Sequence, residues 1–336
     1  MKAILYSAHG GLEQISHGEF PTPTAGPDEC LLKVKAVALN GFDPMILNGI
    51  PGLKTPFPMI PGGDIAGEIV DVGTNVPAGK FRPGDRVQVV PFQPGIGQMG
   101  ETLRGGACDY IAVDAKFLLP IPEGVSYEQA ASLPIAYGTA RRMMMVRGQV
   151  KEGEKVLVLG ATGGVGTGAV QLAKMAGAYV IACASSAEKC EKLKEIGADE
   201  TIDTSKEDFV AAIHERHGKP RIWGGGGVNV VVNYIGGETW AKSLKVMCRF
   251  GRMLVCGATA GYDPKEDIRY IWSYEMSIVG SNAWTPEDQT ALMAMVRDGK
   301  LLPVIDRVLP LTEANFKEGL QALIDRKVFG KVVFVP

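Results

Sequence analysis

A short apolar run near the middle of the chain is followed at once by closely spaced glycines. The run covers residues 156–159, and a helical pattern opens at residue 168. A strand, a glycine turn and a helix start in this order present backbone N–H groups and a positive helix end to a dinucleotide pyrophosphate. We therefore expect a nicotinamide nucleotide to bind here. The turn reads Gly160-Ala161-Thr162-Gly163-Gly164-Val165-Gly166.

Each glycine of this turn has its own physical reason. Gly160 permits a turn that most side chains could not make, Gly163 and Gly164 let the backbone approach the phosphates, and Gly166 lets the helix lie close to the strand. A second predicted strand at residues 179–184 completes a strand-helix-strand unit. The alternative is a tight strand-helix turn that binds no ligand.

The tip of that second strand indicates which nucleotide is bound. NAD-binding proteins usually place Asp or Glu there for the ribose 2′-hydroxyl. Here the chain has Ser185 and Ser186, with Lys189 just beyond. Hydroxyls and a cation suit a 2′-phosphate, so NADPH is the predicted cofactor. Two alternatives to this interpretation remain open. In one, Ser185 serves as the cap of a helix that begins at residue 187; in the other, Glu188 lies near the ribose.

Composition places the chain among ordinary soluble enzymes. It has 336 residues, 46% of them hydrophobic and 21% charged, with a net charge of −2. This length predicts about two domains, and the charge gives no reason to expect a nucleic-acid or membrane partner. No targeting signal or membrane-length apolar run is present, so the cytoplasm is the expected compartment. Six scattered cysteines fit reduced, buried thiols.

The predicted elements change character along the chain. The first part has short strands broken by Gly and Pro, which indicates a compact β domain. From Ser126 helices appear, and from Lys155 strands and helices alternate as in a parallel, doubly wound α/β sheet. The predicted strands are 2–7, 30–39, 67–72, 86–91, 110–113, 156–159, 179–184, 200–202, 228–233, 251–256, 277–280 and 331–334. The predicted helices are 128–132, 135–149, 165–176, 205–217, 239–248, 286–298 and 315–325.

Motifs spread over the whole chain resemble those of the medium-chain dehydrogenase/reductase superfamily. They are Pro61-Gly62-Gly63-Asp64, Pro83-Gly84-Asp85-Arg86-Val87, Gly105-Gly106-Ala107 and Gly138-Thr139-Ala140, together with the glycine turn. The resemblance implies a GroES-like catalytic domain from residues 1–125 and 267–336. It also implies a Rossmann NADPH-binding domain at residues 126–266, and a homodimer joined near residues 276–280.

The chain departs from the zinc-dependent members at their ligand positions. It has Asn40 where they place Cys, and Gly63-Asp64 where they place His-Glu. Residues 90–106 contain no cysteine, so the four-cysteine structural zinc lobe is missing too. Because a catalytic zinc needs about three protein ligands, we expect a reaction without a metal.

Two further segments are similar to the metal-free branch. Asn40-Gly41-Phe42-Asp43 resembles the Asn-x-x-Asp segment of NADPH quinone reductases and enoyl reductases. The stretches 256–262 and 278–282 resemble crotonyl-CoA carboxylase/reductase and acryloyl-CoA reductase. The carboxylating members carry His where this chain has Asn282, so the resemblance favours plain reduction of a short 2-enoyl-CoA.

Such a substrate takes hydride at its β-carbon while its carbonyl oxygen gains charge. Asn40 is the first candidate for donating a hydrogen bond to that oxygen or for positioning the nicotinamide ribose; the alternative is a core amide that satisfies a loop. Asp43 could orient Asn40 or, as the pattern favours, cap a helix at residues 44–47. The resemblance adds Asn282 as a third catalytic candidate. It also implies cofactor contacts from Thr139, Asn233, Ile235, Cys256, Gly257, Ala258, Gly280 and Ser281.

Two other functions remain open at this point. An NADPH:quinone oxidoreductase would use the same residues with a different acceptor. A non-catalytic NADPH-binding protein, as lens crystallins of this superfamily are, would keep the nucleotide fold without turnover.

Overall fold

The structure is a computed structural model that describes all 336 residues. The chain forms two compact units, one from Met1–Gly138 with Thr285–Pro336 and the other from Thr139–Trp284. These boundaries lie further along the chain than those expected at 125/126 and 266/267. The helix Tyr127–Ser132 packs on strands of the first unit, and the strand Ser277–Gly280 pairs with one of the second.

The first unit is built on a seven-stranded, mainly antiparallel sheet. In spatial order it contains Ile305–Pro310, Lys331–Val335, Glu29–Ala38, Asp64–Val72, Arg86–Val89 and Leu118–Pro120, with Tyr110–Asp114 also paired to Glu29–Ala38. Alternate residues of Glu29–Ala38 are buried, as expected for a strand with one face on a core. That core holds Ile4, Leu32, Ile65, Phe316 and Phe334.

Helices and two small hairpins complete the first unit. Ser126 and Thr285 begin helices with reciprocal capping boxes, which satisfy backbone N–H groups at the helix starts. The helices are Asp43–Asn48, Tyr127–Ser132, Pro286–Arg297 and Glu313–Ile324, with a π-helical turn at Leu133–Tyr137 and 3₁₀ turns at Leu12–Gln14 and Ala115–Phe117. The hairpin strands are Lys2–Leu5 with Ser16–Glu19, and Phe92–Gln93 with Gly97–Gln98.

The second unit is a six-stranded, all-parallel sheet with a doubly wound strand order. In spatial order its strands are Glu200–Asp203, Tyr179–Ala184, Lys155–Val158, Val228–Val232, Met247–Val255 and Ser277–Gly280. Its helices are Gly164–Met175, Ala187–Glu195, Phe209–His217, Glu238–Leu244 and Arg269–Ser273, with Gly138–Arg141 at the boundary and a π-helical segment at Arg142–Arg147. The expected α/β fold, with a GroES-like domain and a Rossmann sheet, is confirmed.

Several sequence-based assignments differ from the structure; among them, the helix expected at 205–217 begins only at Phe209, after the cap residue Asp208. The helix expected at 239–248 ends at Leu244, and a long strand already begins at Met247. The strand Ile305–Pro310 was not predicted, because its half-exposed residues lack a clear alternation. No helix is both long and apolar enough to cross a membrane.

Candidate functional site

Three charged or polar side chains meet in the interior of the first unit. Asn40 follows the strand Glu29–Ala38, Asp64 begins the neighbouring strand, and Lys331 begins the last strand of the chain. Their exposed fractions are 5%, 0% and 2%. Buried charges are found in proteins when they are paired and hydrogen-bonded, so the contacts among these groups decide what they can do.

The contacts fix the orientation of the Asn40 amide. Lys331 Nζ donates to Asn40 Oδ1 at 2.6 Å and to Asp64 Oδ2 at 2.9 Å. Asn40 Nδ2 donates to the same Asp64 oxygen at 2.9 Å. An ammonium group can only donate and a carboxylate can only accept, so the amide cannot be turned around. One of the two N–H bonds of Nδ2 is left for another acceptor.

The other oxygen of Asp64 reaches a different element. Asp64 Oδ1 accepts the backbone N–H of Ile135 at 3.0 Å. Ile135 lies in the π-helical turn Leu133–Tyr137, where the backbone departs from regular α-helical bonding. Asp64 thus connects the Asn40 amide, the Lys331 ammonium and an irregular helix.

Asp43 orients Asn40 and does not cap the helix that follows. Its Oδ2 accepts the backbone N–H of Asn40 at 2.9 Å. Phe42 is the N-cap residue and makes no side-chain cap bond, so the capping role predicted for Asp43 is wrong. Burial raises the pKa of Asp43 to about 7, against the lowering effects of the Asn40 N–H and of Lys331.

A zinc ion does not fit these residues. No group of three or more His, Cys, Asp and Glu side chains is gathered in a way that could hold a metal. Both oxygens of Asp64 already accept hydrogen bonds, and one of them also pairs with Lys331. The ammonium group would have to leave before a cation could use that carboxylate.

The glycine turn of the second unit has the local geometry that the sequence indicates. It joins the strand Lys155–Val158 to the helix Gly164–Met175, and Gly160 has a φ of +67°. A Cβ on Gly166 would lie 2.3 Å from the carbonyl oxygen of Gly160, so the fold requires glycine there. A Cβ on Gly163 would have no neighbour nearer than 3.5 Å. Packing therefore does not demand glycine at 163, and the open backbone suits a phosphate approaching the helix start.

Tyr234 packs against this turn, a role that its residue type alone does not indicate. Its hydroxyl donates to the carbonyl oxygen of Gly160. A Cβ on Gly160 would lie 3.1 Å from that hydroxyl. Burial raises the pKa of Tyr234, so the hydroxyl stays protonated and remains a donor. Tyr234 thus braces the glycine turn.

Asn233 and Ile235, two of the expected cofactor residues, lie beside Tyr234. Asn233 Oδ1 accepts the backbone N–H groups of Ile235 and Gly236, each at 3.0 Å, and Nδ2 donates to Ser243 Oγ at 3.0 Å. The fully buried Asn233 amide is thus committed to shaping this turn.

At the tip of the second strand, Ser186 is the helix cap. Its hydroxyl accepts the backbone N–H of Lys189 at 3.3 Å and begins the helix Ala187–Glu195. The alternative in which Ser185 is the cap is therefore wrong, and the exposed Ser185 hydroxyl has no capping role. Glu188 is exposed and pairs with Lys192 one turn along the helix at 2.7 Å.

A carboxylate that the sequence did not single out lies beside this tip. Asp203 ends the neighbouring strand Glu200–Asp203 and is the register partner of Ala184. Its Oδ1 accepts a hydrogen bond from Ser205 Oγ at 2.6 Å, and Lys206 Nζ is 3.6 Å from its Oδ2. These partners lower the pKa of Asp203 and offset part of its charge.

The remaining predicted cofactor residues follow strand ends of the same sheet. Cys256, Gly257 and Ala258 follow Met247–Val255, and burial raises the pKa of the Cys256 thiol to about 12. Gly280 ends the strand Ser277–Gly280, with Ser281 and the exposed Asn282 after it, and the half-buried Thr139 begins the unit.

The buried side chain of Ser281 independently indicates that a ligand fits at the carboxyl ends of the parallel strands. Its Oγ is buried and has no hydrogen-bond partner within the chain. A buried hydroxyl without a partner is unfavourable, and a bound polar group would satisfy it. Together with the open backbone at Gly163, it matches what a dinucleotide needs at the carboxyl ends of parallel strands.

Two protein-family models and several known proteins match this chain. Residues 26–123 match the family model of the alcohol dehydrogenase GroES-like domain, and residues 164–298 match that of the zinc-binding dehydrogenase. The chain is 30% identical to acryloyl-coenzyme A reductase of Sulfurisphaera tokodaii over the full length of both proteins. It is 28% identical to quinone oxidoreductase of Homo sapiens, over 93% of this chain and 91% of that protein.

A solved structure is similar over its whole length. The crystal structure of an NAD-dependent alcohol dehydrogenase covers all of both chains with a TM-score of 0.91 and 32% identity. The resemblance stated from the sequence motifs is confirmed. The chain belongs to the medium-chain dehydrogenase/reductase superfamily of nicotinamide-nucleotide-dependent oxidoreductases, in the branch of quinone oxidoreductases and enoyl-CoA reductases.

Proposed function

We propose that the protein is an NADPH-dependent, zinc-independent reductase of α,β-unsaturated carbonyl compounds, with a short 2-enoyl-CoA such as acryloyl-CoA as substrate. The observation that carries the proposal is the fixed Asn40 amide, with one N–H left over beside a buried ammonium group. The acryloyl-coenzyme A reductase of Sulfurisphaera tokodaii, similar over its full length, supports the substrate class.

Bound NADPH would supply the hydride that adds to the β-carbon of the substrate. The chain's own task is then to stabilise the negative charge that develops on the carbonyl oxygen. The remaining N–H of Asn40 is suited to donate to that oxygen. Lys331 pulls electron density from the amide through Oδ1, which makes the N–H a stronger donor.

The proton for the α-carbon is assigned to solvent. Tyr137 is a possible donor by residue type, but it is fully buried and its oxygen accepts the backbone N–H of Val304 at 2.8 Å. Tyr262 is almost completely exposed, in a loop of the second unit.

The preference for NADPH rests on the tip residues Ser185, Ser186 and Lys189. The first is exposed, the second has a hydroxyl hydrogen still to donate while it caps its helix, and the third adds a cation. The Asp203 carboxylate opposes a 2′-phosphate, but the Lys206 ammonium, 3.6 Å from its Oδ2, offsets part of that repulsion. NADPH is the favoured cofactor in this balance.

The proposal is tested by replacing Asn40 with Ala and measuring kcat for acryloyl-CoA. We expect kcat to fall at least about tenfold with the KM for NADPH unchanged, because an interaction made in the transition state is lost. The exposed Asn75, in a loop of the same unit, provides the matched control Asn75→Ala. A kcat for Asn40→Ala within a factor of about three of the parent would contradict the role of the amide.

A quinone oxidoreductase is the second candidate, favoured by the similarity to the human enzyme of that name. A quinone carbonyl also gains charge on its oxygen, so the same N–H would serve it. Parallel assays of acryloyl-CoA and a benzoquinone with NADPH separate the two candidates. NADPH binding without turnover of either acceptor would favour a non-catalytic protein.

We also infer that the protein is a homodimer. The strand Ser277–Gly280 is at the edge of the second unit's sheet, and its residues are exposed or half-buried. An open strand edge presents unpaired N–H and C=O groups that a second copy can pair with. Light scattering after gel filtration should give twice the chain mass, and Val279→Pro should shift the protein towards monomer.

A further inference from the structure

An open groove lies at the amino-terminal edge of the parallel sheet in the second unit. Its volume is about 600 Å³, and it is lined by Lys155, Trp223, the glycines 224–227, Arg249 and Phe250. Lys155 begins the strand that leads to the glycine turn, so the groove and the turn are at opposite ends of that strand. The groove is therefore separate from the proposed cofactor residues.

Two exposed aromatic side chains stand at this groove. Trp223 is 86% exposed and Phe250 is 65% exposed. The guanidinium group of Arg249 packs on both rings, 4.8 Å from the Trp223 centroid and 4.6 Å from that of Phe250. Arg249 also pairs with Glu275, which holds the guanidinium in place. The Trp223 ring is thus supported by the cation and still open to a planar group.

Phe250 is held in an unfavourable backbone conformation. Its φ is +63°, in the left-handed region that is unfavourable for a residue with a side chain. Its backbone N–H donates to the Tyr274 carbonyl oxygen at 2.9 Å, which keeps the turn in place. An exposed aromatic residue gains little from its own fold to offset that strain, and such strain is concentrated at binding sites.

The four glycines of the groove divide into two pairs. Gly226 and Gly227 have φ values of +92° and +76°, and a Cβ on either would lie within 2.4 Å of a backbone oxygen, so the fold requires them. Gly224 and Gly225 have no such need, because a Cβ there would meet nothing nearer than 4.0 Å. Their lack of side chains leaves backbone open to the groove.

The charges around the groove favour an anion. Lys219 and Arg221 belong to the same loop, and residues 218–233 contain no Asp or Glu. Lys155 makes no ion pair with any carboxylate of the chain. Two carboxylates lie near the lining, Glu275 and Glu154, and each is paired with an arginine, Arg249 and Arg252 respectively. A negatively charged ligand would therefore be attracted to Lys155.

We propose that this groove binds a planar aromatic anion, such as an aryl phosphate or aryl carboxylate. The ring would stack on the open face of Trp223, and the anionic group would lie near Lys155 and the backbone of Gly224 and Gly225. Stacking on the indole buries apolar surface and adds a favourable electrostatic interaction between the two rings. The ammonium group of Lys155 selects for a negatively charged ligand.

The test is a titration with 1-naphthyl phosphate, in excess NADPH so that the proposed cofactor residues are occupied. The indole N–H resonance of Trp223, assigned by its absence in Trp223→Phe, should shift saturably. The neutral 1-naphthalenemethanol should bind at least about tenfold more weakly. Trp223→Ala should weaken the phosphate about tenfold, and Lys155→Gln about fivefold, measured by the remaining resonances of the groove.

Trp272→Ala is the matched control, because Trp272 is 66% exposed in the helix Arg269–Ser273 and does not line the groove. It should leave the affinity unchanged. The proposal is overturned if the shift does not saturate, if the neutral compound binds equally well, or if Trp223→Ala binds as the parent does. A Trp223 resonance that shifts with protein concentration and not with ligand concentration would show that the groove takes part in self-association, and would also overturn the proposal.

Discussion

Asp43→Asn should remove a pH dependence from the stability of the first unit. Asp43 is buried, and burial raises its pKa from 3.8 to about 7. Between these two values the folded protein holds a proton on Asp43 that the unfolded chain has lost. Stability from this group is therefore fully present below the unfolded pKa and is lost as pH rises through about 7.

The size of the effect follows from the shift. Each pH unit between the two pKa values changes the free energy of unfolding by about 1.4 kcal/mol. From pH 5 to pH 9 the parent should lose about 3 kcal/mol relative to Asp43→Asn, with the change complete near pH 8. The asparagine oxygen can still accept the backbone N–H of Asn40, so the loop should keep its shape.

Urea unfolding of both proteins at unit steps from pH 5 to pH 9 measures this difference. The exposed Asn75, whose side chain does not titrate, provides a control, Asn75→Ala, whose difference from the parent should stay flat. A constant difference between the parent and Asp43→Asn would refute the claim that a protonated carboxyl is buried there. A difference of the opposite sign would show that Lys331 and the Asn40 N–H outweigh burial.

Three further substitutions test separate contacts. Lys331→Met should cost about 3–5 kcal/mol in urea unfolding because it leaves the Asp64 carboxylate unpaired, and adding Asp64→Asn should restore part of it; a loss below about 1 kcal/mol would count against the pairing. Gly166→Ala should destabilise the protein, because its Cβ would lie 2.3 Å from the Gly160 carbonyl oxygen. Gly163→Ala should fold normally and raise the KM for NADPH about tenfold. Equal stabilities of the two variants would argue against a packing role for Gly166 and a phosphate role for Gly163. Ser185→Asp should raise the KM for NADPH about tenfold and leave that for NADH unchanged, by charge repulsion; an unaltered KM for NADPH would exclude a phosphate near that hydroxyl.

Local sequence patterns were sufficient to predict the nucleotide-binding half. A strand, a turn and a helix contiguous in sequence are also contiguous in space, so the glycines at 160–166 and the strand Tyr179–Ala184 could be located from their types and spacing. Ser186 and Ser185 show the limit of this reasoning. Both suit a helix cap, and a shift of one residue decides between them.

The polar cluster of the first unit could be predicted only in part. Asn40 and Asp64 lie in recognisable motifs, but Lys331 joins them across 291 positions of the chain. Lysine is mostly exposed in proteins, so its residue type predicts that Lys331 lies at the surface. Only the pairing of the last strand with Glu29–Ala38 places Lys331 in the interior of the first unit. Of the two roles open to Asp43, the sequence pattern favours the helix cap and the structure shows the bond to Asn40, because a carboxylate beside a helix start can accept from either side.

The most direct test of the proposed function is the kcat/KM for acryloyl-CoA, measured with NADPH and with NADH after extensive dialysis against a chelator. The account predicts efficient reduction with NADPH, a lower value with NADH, and no loss when the protein's metal content falls far below one ion per chain. Activity that vanishes with the metal and returns when zinc is restored would contradict it, as would the absence of turnover with any conjugated carbonyl acceptor.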